Sequence, residues 1–179
     1  MKQSLWRTAS GGILAGALGC SPALDWREMR PDGTELAVAM PCRPAKAQRE
    51  LELAGQRVVM RLLACQSDGA LFGLGHARLA DATQAGAALT ALATAARANM
   101  RGKVNEGEPA HVPGMTPLPQ ARQWRWEGFG PDGKAVTAWV TVFAYGPNVY
   151  QATVLGAPAN EALARHFRSA LAVRPAGMS

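Results

Sequence analysis

Cysteine is the residue type with the clearest chemistry in this chain of 179 residues, which contains Cys20, Cys42 and Cys65. Cys42 and Cys65 are too widely spaced for a C-x-x-C metal or redox motif. Disulfide formation is the chemistry that remains for this pair, and disulfide bonds persist in oxidising compartments. The alternative is a pair of buried free thiols.

The predicted strands between the two cysteines allow a geometric test of that pairing. Strands on either side of Ala54-Gly55 form a predicted hairpin. In this hairpin Cys65 lies opposite Pro44 or the next residue, only two or three positions from Cys42. A small kink at Pro41 and Pro44 then brings the sulfur atoms within bonding reach, which requires Cα atoms less than about 7 Å apart.

Aromatic side chains form a second group with a possible binding role. Strand alternation and pairing across a turn at Pro131 put five of them on one predicted sheet face, with Trp124 near Trp139. Rings mixed with threonine and glutamine could form a platform for a sugar, a peptide or a lipid tail. The alternative is that a helix covers this face, so that the rings are core and their indole N–H groups are hydrogen-bonded. The five residues are Trp124, Trp126, Trp139, Phe143 and Tyr145.

Sequence patterns for catalysis and metal binding are weak. His76, His111 and His166 stand in different predicted elements, without the spacing of a metal site. The sequence has no G-x-S-x-G motif for a nucleophilic serine. We therefore predict no catalytic residue, no metal, no cofactor and no enzymatic activity. A hydrolase whose triad is assembled from distant residues is the remaining alternative.

The elements that must position these side chains are predicted to form an α+β fold, with a mostly antiparallel sheet and flanking helices. A turn at Pro31-Asp32-Gly33 joins the first two strands, and Asp81 begins a helix that Gly102 ends. Residues 105–120 are rich in proline and glycine and form a long loop, interpreted as a surface crossover between two halves of the sheet. The predicted strands are 24–29, 35–40, 48–53, 57–65, 70–79, 122–129, 134–145 and 148–155, and a last helix begins at Pro158.

The first twenty residues differ in character from the rest of the chain. Lys2 and Arg7 are basic, residues 11–19 are small and apolar, and Cys20 follows a glycine. A basic start, a short apolar core and an exit of small residues are typical of an export signal. The cysteine makes the segment resemble the lipobox of bacterial lipoproteins, in which that cysteine is lipidated and becomes the mature N-terminus. Ala15-Gly16-Ala17 also fits an ordinary signal-peptidase site, and the family usually has leucine three residues before the cysteine, where this chain has alanine.

The lipoprotein resemblance implies a division of the chain and a location. Ser21 after the cysteine implies an outer-membrane position facing the periplasm rather than an inner-membrane one. A free periplasmic protein and an uncleaved anchor are the alternatives. The implied segments are a signal peptide at 1–19, a lipid-anchor tether at 20–23, one α+β domain at 24–173 and a disordered tail at 174–179.

The charge of the chain is mildly basic, with 19 Lys and Arg side chains against 13 Asp and Glu and a formal net charge of +6. The excess is spread along the sequence, without the basic run of a nucleic-acid-binding arm. We therefore expect no nucleic-acid partner. The expected partners are the membrane, through the lipid, and another protein of the cell envelope.

The order of elements in the body resembles that of PsbP-like domains, which are α/β/α sandwiches of exported proteins. The opening hairpins, the helix from Asp81, the closing strand Asn148-Val-Tyr-Gln-Ala-Thr-Val-Leu and the helix with Phe167-Arg168-Ser169-Ala170 carry the resemblance. It covers residues 24–173, implies a non-catalytic accessory or binding module, and carries over no site residue. The predicted function is a lipid-anchored envelope protein of this kind. The alternative is a periplasmic protein that binds a small ligand on the aromatic face.

Overall fold

The computed structural model describes residues 24–98, 100–103, 106–129 and 133–174. These residues form a mixed α+β fold with two helices and two sheets, and every strand pair in it is antiparallel. The predicted fold class is therefore confirmed at this level. The predicted signal peptide and tether (1–23), the tail after residue 174 and the turn at 130–132 lie outside the described residues.

The strands build a small sheet and a large sheet. The small sheet has the order β1-β2-β11, and the large sheet has the order β3-β4-β5-β10-β9-β8-β6, with β7 also paired to β8. In chain order the strands are β1 (Arg27–Met29), β2 (Leu36–Met40), β3 (Ala45–Leu53), β4 (Gln56–Ser67), β5 (Ala70–Arg78), β6 (Arg101–Lys103), β7 (Glu108–Pro109), β8 (Arg122–Phe129), β9 (Ala135–Tyr145), β10 (Asn148–Gly156) and β11 (Ala172–Val173).

Each helix continues a short 3-10 turn. Helix α1 spans Ala85–Ala98 after the turn Ala82–Gln84, and helix α2 spans Glu161–Ser169 after the turn Pro158–Asn160. Asp81 caps the first turn as predicted, because its Oδ1 accepts a hydrogen bond from the backbone N–H of Thr83 at 2.8 Å.

The predicted end of the first helix at Gly102 was wrong. Helix α1 ends at Ala98, and residues Arg101–Lys103 instead form β6, with Gly102 opposite Gly128 of β8. Pairing with Arg101–Lys103 satisfies backbone N–H and C=O groups on the edge of β8. A longer helix would have left those groups without a strand partner.

Helix α1 also makes the crossover that the sequence assigned to the proline-rich loop. The chain leaves the interior of the large sheet at β5 and returns at its far edge as β6, with α1 between them. The loop then connects β6 only to its neighbour β8. Its middle lies against the C-terminal strand, since the backbone N–H of Val173 donates to Pro113 O at 2.7 Å.

The two faces of the large sheet carry different layers. We call the face under α1 the helix face; it includes Gly73 and Gly75 of β5. The opposite face, which we call the small-sheet face, carries Phe72, whose ring contacts Trp26 before β1 and Phe167 of α2 at centroid distances of 5.8 and 5.6 Å. The large sheet is therefore a middle layer, with α1 on one side and the small sheet with α2 on the other.

Candidate functional site

The five aromatic residues predicted to share one face are divided between both faces of the large sheet. Trp124 lies opposite Val140, and it is Arg125 that lies opposite Trp139. Residues directly opposite one another in a sheet share a face, and a shift of one residue reverses the faces. Trp124 and Trp126 are therefore on the helix face, while Trp139, with Phe143 and Tyr145 at the same alternation, is on the small-sheet face. The predicted common face was wrong by one residue of register.

Three of these rings are core side chains. Trp126, Trp139 and Phe143 are 1%, 2% and 0% exposed. Phe143 stacks on Tyr150 of β10 with ring centroids 4.9 Å apart. The alternative interpretation, that the rings are core, therefore holds for these three residues, but the hydrogen-bonded indole that it included is not found at Trp126, whose Nε1 has no partner among the described residues. Trp124 and Tyr145 are half-buried.

Trp124 lines a pocket of about 330 Å³ between α1 and the loop before β8. Its ring lies 5.4 Å from that of Trp126, whose Nε1 is buried without a hydrogen-bond partner among the described residues. Arg97 and Arg122 line the same pocket, together with Thr90 and Thr94 of α1. Of the predicted aromatic platform, this pocket retains the half-buried ring of Trp124, with the guanidinium groups of Arg97 and Arg122 in the same lining.

The loop closes against Trp124 through a glycine. Gly107 has φ +75°, and a Cβ built there would lie 2.1 Å from the Nε1 atom of Trp124. The carbonyl of Gly107 also accepts a hydrogen bond from Arg122 Nη2 at 2.8 Å. Only glycine fits both this backbone angle and the space beside the ring. The backbone at Gly107 therefore packs directly against the indole of Trp124.

A second pocket, which we call the His76 pocket, lies on the small-sheet face and has a volume of about 310 Å³. The turn between β1 and β2 forms one wall, and strands β3, β4 and β5 form the other. Arg61 of β4 and His76 of β5 are direct cross-strand partners and therefore share this face. Leu63 and Leu74, the next partners along the same two strands, provide apolar surface.

His76 is a buried imidazole without a charge partner of opposite sign. The residue is 5% exposed, and its Nε2 atom has no hydrogen-bond partner among the described residues. Burial, with a smaller contribution from the positive charge of Arg61, lowers the pKa of His76 to about 4. The imidazole is therefore neutral at physiological pH. It stacks on Tyr150, whose pKa burial and the nearby Glu35 carboxylate raise.

The other histidines are elsewhere in the fold. His111 is exposed in the loop before β8, and His166 is exposed on α2, with its ring 4.3 Å from that of Trp26. In the part of the chain that the structure describes, no group of three or more His, Cys, Asp or Glu side chains could hold a metal ion.

Cys42 and Cys65 are bonded. Their sulfur atoms are 2.18 Å apart and their Cα atoms 6.0 Å apart. The predicted hairpin register is confirmed by the pairing of Ala45 with Ala64, which puts Cys65 close to the segment that carries Cys42. Because Cys42 follows β2 and Cys65 belongs to β4, the bond joins the small sheet to the large one. Cys20 lies outside the described residues.

No family model matches the chain, and no curated protein matches it. None of the helices in the described ranges is long and apolar enough to cross a membrane.

Sequence reasoning treated His76 as an isolated histidine and missed its pocket. The alternation of Phe72, Leu74 and His76 along β5 was readable, but the identity of the neighbour opposite His76 depends on the register between β4 and β5. A turn at Ser67-Asp68-Gly69 fixes that register, since Ser67 pairs with Ala70. Counting back from this turn would have placed Arg61 beside His76.

Proposed function

We propose that this chain is a non-enzymatic, lipid-anchored protein of the bacterial cell envelope, an accessory or binding module that acts through another envelope protein. The bond between Cys42 and Cys65 is the observation that supports this best. It uses two of the three cysteines and leaves Cys20, which follows the short apolar run, as the remaining one. A disulfide of this kind also suits an oxidising compartment.

The proposal includes a location and a fold relationship. Ser21 after the cysteine favours the outer membrane, facing the periplasm. The order of hairpins, helix, closing strand and terminal helix favours a PsbP-like sandwich, whose members are mostly non-catalytic. A lipoprotein carries several acyl chains, and more than one chain is needed for stable anchoring.

Metabolic labelling tests the anchor. Cells that express the chain are grown with a clickable fatty acid, and wild type is compared with Cys20→Ala. We expect label on the wild type only. The matched control is the double variant Cys42→Ala/Cys65→Ala, which should keep its label because Cys20 is intact. Equal labelling of wild type and Cys20→Ala, or no labelling of either, would contradict a lipid at Cys20.

A second candidate function is the binding of a small ligand by the Trp124 pocket. The observation that favours it is a half-exposed indole beside Arg97 and Arg122, since rings stack on sugar faces and guanidinium groups bind carboxylates. N-acetylmuramic acid, an envelope sugar with a carboxylate, is a suitable probe. We expect it to quench tryptophan fluorescence in wild type and in Trp26→Phe, but not in Trp124→Phe. Identical quenching in Trp124→Phe would exclude this pocket.

A further inference from the structure

The His76 pocket combines a basic rim with an apolar wall. Arg61, Lys46 and Arg30 line it from β4, β3 and the turn between β1 and β2. The apolar side chains are Met29 from the small sheet and Leu63 and Leu74 from the large one. Basic side chains from three separate elements therefore converge on one cavity of about 310 Å³, large enough for a small organic molecule.

Among the described residues, the basic side chains around this cavity outnumber the carboxylates. Asp32 is the one carboxylate in its lining, and its Oδ2 lies 3.2 Å from Nζ of Lys46. Arg61 forms no ion pair with any described residue, and Arg30 donates only to the carbonyl of Arg174 at 3.5 Å. Neither guanidinium group has a carboxylate partner in the part of the chain that the structure describes, and the planar guanidinium fork suits carboxylate and phosphate oxygens.

His76 adds a buried polar side chain to the lining of the same cavity. A buried nitrogen without a hydrogen-bond partner destabilises a fold, so native structures contain few of them. Neither Arg61 nor Tyr150, the neighbours across from it, supplies that partner.

We propose that the His76 pocket binds a small organic anion with a short apolar body. The carboxylate or phosphate group is held by Arg61, with Arg30 adding positive charge at the rim. The apolar body packs on Leu63 and Leu74. This inference goes beyond the proposed function, because it needs neither the lipid at Cys20 nor the Trp124 pocket.

Nuclear magnetic resonance of the histidine side chains gives a direct test on the full chain. Hexanoate is the probe, and the pKa of His76 is measured with and without it. An anion beside the imidazole favours the protonated form, so we expect hexanoate to raise the pKa of His76 by about one unit. The groups that already face this imidazole are Arg61 from β4 and Tyr150 from β10, while Lys46, Arg30 and Asp32 line the same cavity. His111 and His166 serve as internal references and should not shift.

Variants and related probes separate the parts of the proposal. Arg61→Gln should weaken hexanoate binding at least tenfold, whereas Arg57→Gln, on the same strand and face but outside the cavity lining, should change it less than twofold. Acetate, which lacks the apolar body, should bind at least tenfold more weakly than hexanoate. Hexyl phosphate measured beside hexanoate identifies the preferred anionic group, and tight binding of either one supports the proposal.

Three results would overturn it. They are an equal effect of hexylammonium or hexanol on His76, unchanged hexanoate binding by Arg61→Gln, and the absence of any His76 shift with both anions at millimolar concentration. None of these results depends on fatty-acid labelling at Cys20. The lipid anchor and the anion-binding pocket are therefore tested independently.

Discussion

The two faces of the large sheet are covered by different layers. On the helix face, the covering layer is α1, a helix rich in alanine whose buried side chains include Ala88, Leu89 and Leu92. On the small-sheet face, large rings such as Phe72 and Trp139 fill the space beneath the small sheet and α2. The covering layers differ in side-chain size, with alanine and leucine from α1 on one face and rings from α2 and the segment before β1 on the other. Because interiors are packed to constant density, the loss of a ring leaves a larger cavity than the loss of a methyl group.

The layers are also fixed to the sheet differently. The small sheet is tied to the large one by the Cys42–Cys65 bond. The backbone N–H of Val173 also donates a hydrogen bond to Pro113 O in the loop before β8 at 2.7 Å. Helix α1 lies on its face through packing of alanine and leucine side chains. We therefore expect substitutions beneath the small sheet to have the larger effects on stability.

Truncation of Phe72 is the strongest test of this comparison. Phe72→Ala removes a fully buried ring that contacts both Trp26 and Phe167, so we expect the free energy of unfolding to fall by about 3–5 kcal/mol. Urea denaturation measures it. The neighbouring Leu71, which points to the other face and is 42% exposed, is the control, and Leu71→Ala should cost less than about 1 kcal/mol. Equal losses for the two variants would remove the distinction.

Loss of the disulfide should have the next largest effect. The bond closes a loop across a sequence separation of 23 residues, and the chain-entropy relation gives about 3 kcal/mol for a loop of that length. The double variant Cys42→Ala/Cys65→Ala should therefore unfold at lower urea concentration than wild type. Added reductant should lower the midpoint of wild type but leave the double variant unchanged. A wild-type midpoint that ignores reductant would contradict the prediction.

The buried His76 makes the small-sheet face sensitive to acid. Its pKa is about 4 in the folded chain against an ordinary value of 6.5, so the unfolded chain binds more protons between these two pH values. Stability contributed by the neutral imidazole is complete above pH 6.5 and is lost as pH falls toward 4, by about 3 kcal/mol at most.

The comparison of wild type with His76→Gln isolates this contribution from other titrating groups. Between pH 6.5 and 4, the free energy of unfolding should fall more steeply for wild type than for the variant. Parallel pH profiles would mean that His76 does not titrate in this interval.

The smallest effect is expected on the helix face, at Gly107. Alanine there meets both an unfavourable φ of +75° and the Trp124 ring. Gly133 has the same φ of +75° with no atom within 4 Å of a built Cβ, so Gly133→Ala measures the backbone cost alone, about 1–2 kcal/mol. We expect both variants to lose this stability, but only Gly107→Ala to displace Trp124 and increase the quenching of its fluorescence by iodide. Equal quenching in both would show that Gly107 does not position the ring.

Turn residues and alternation predicted most of the strands. Pro31-Asp32-Gly33 and Ala54-Gly55 each mark a turn between paired strands, and the pairing of Leu53 with Gln56 follows from the second of them. A positive φ at Ala54 and Gly55 explains why the chain reverses there. The hairpin register was accurate enough to predict which residues lie near Cys65.

The aromatic residues show where such reasoning failed. The register between β8 and β9 depends on how many residues the turn around Pro131 uses, and a difference of one residue moves a tryptophan to the other face. The short strands β6, β7 and β11 were missed for a related reason. Two or three residues carry no periodicity, and they become strands only because an unpaired sheet edge is beside them.

The sequence by itself determined the fold class, the main strands, the cap at Asp81 and the pairing of Cys42 with Cys65, since each depends on local pattern or on one hairpin. The tertiary structure alone decided the division of the tryptophans between two faces, the end of α1 at Ala98 and the meeting of Arg61, His76 and the first turn around one cavity. Those features depend on contacts between elements far apart in the chain, and local preferences carry no information about which distant residues will meet.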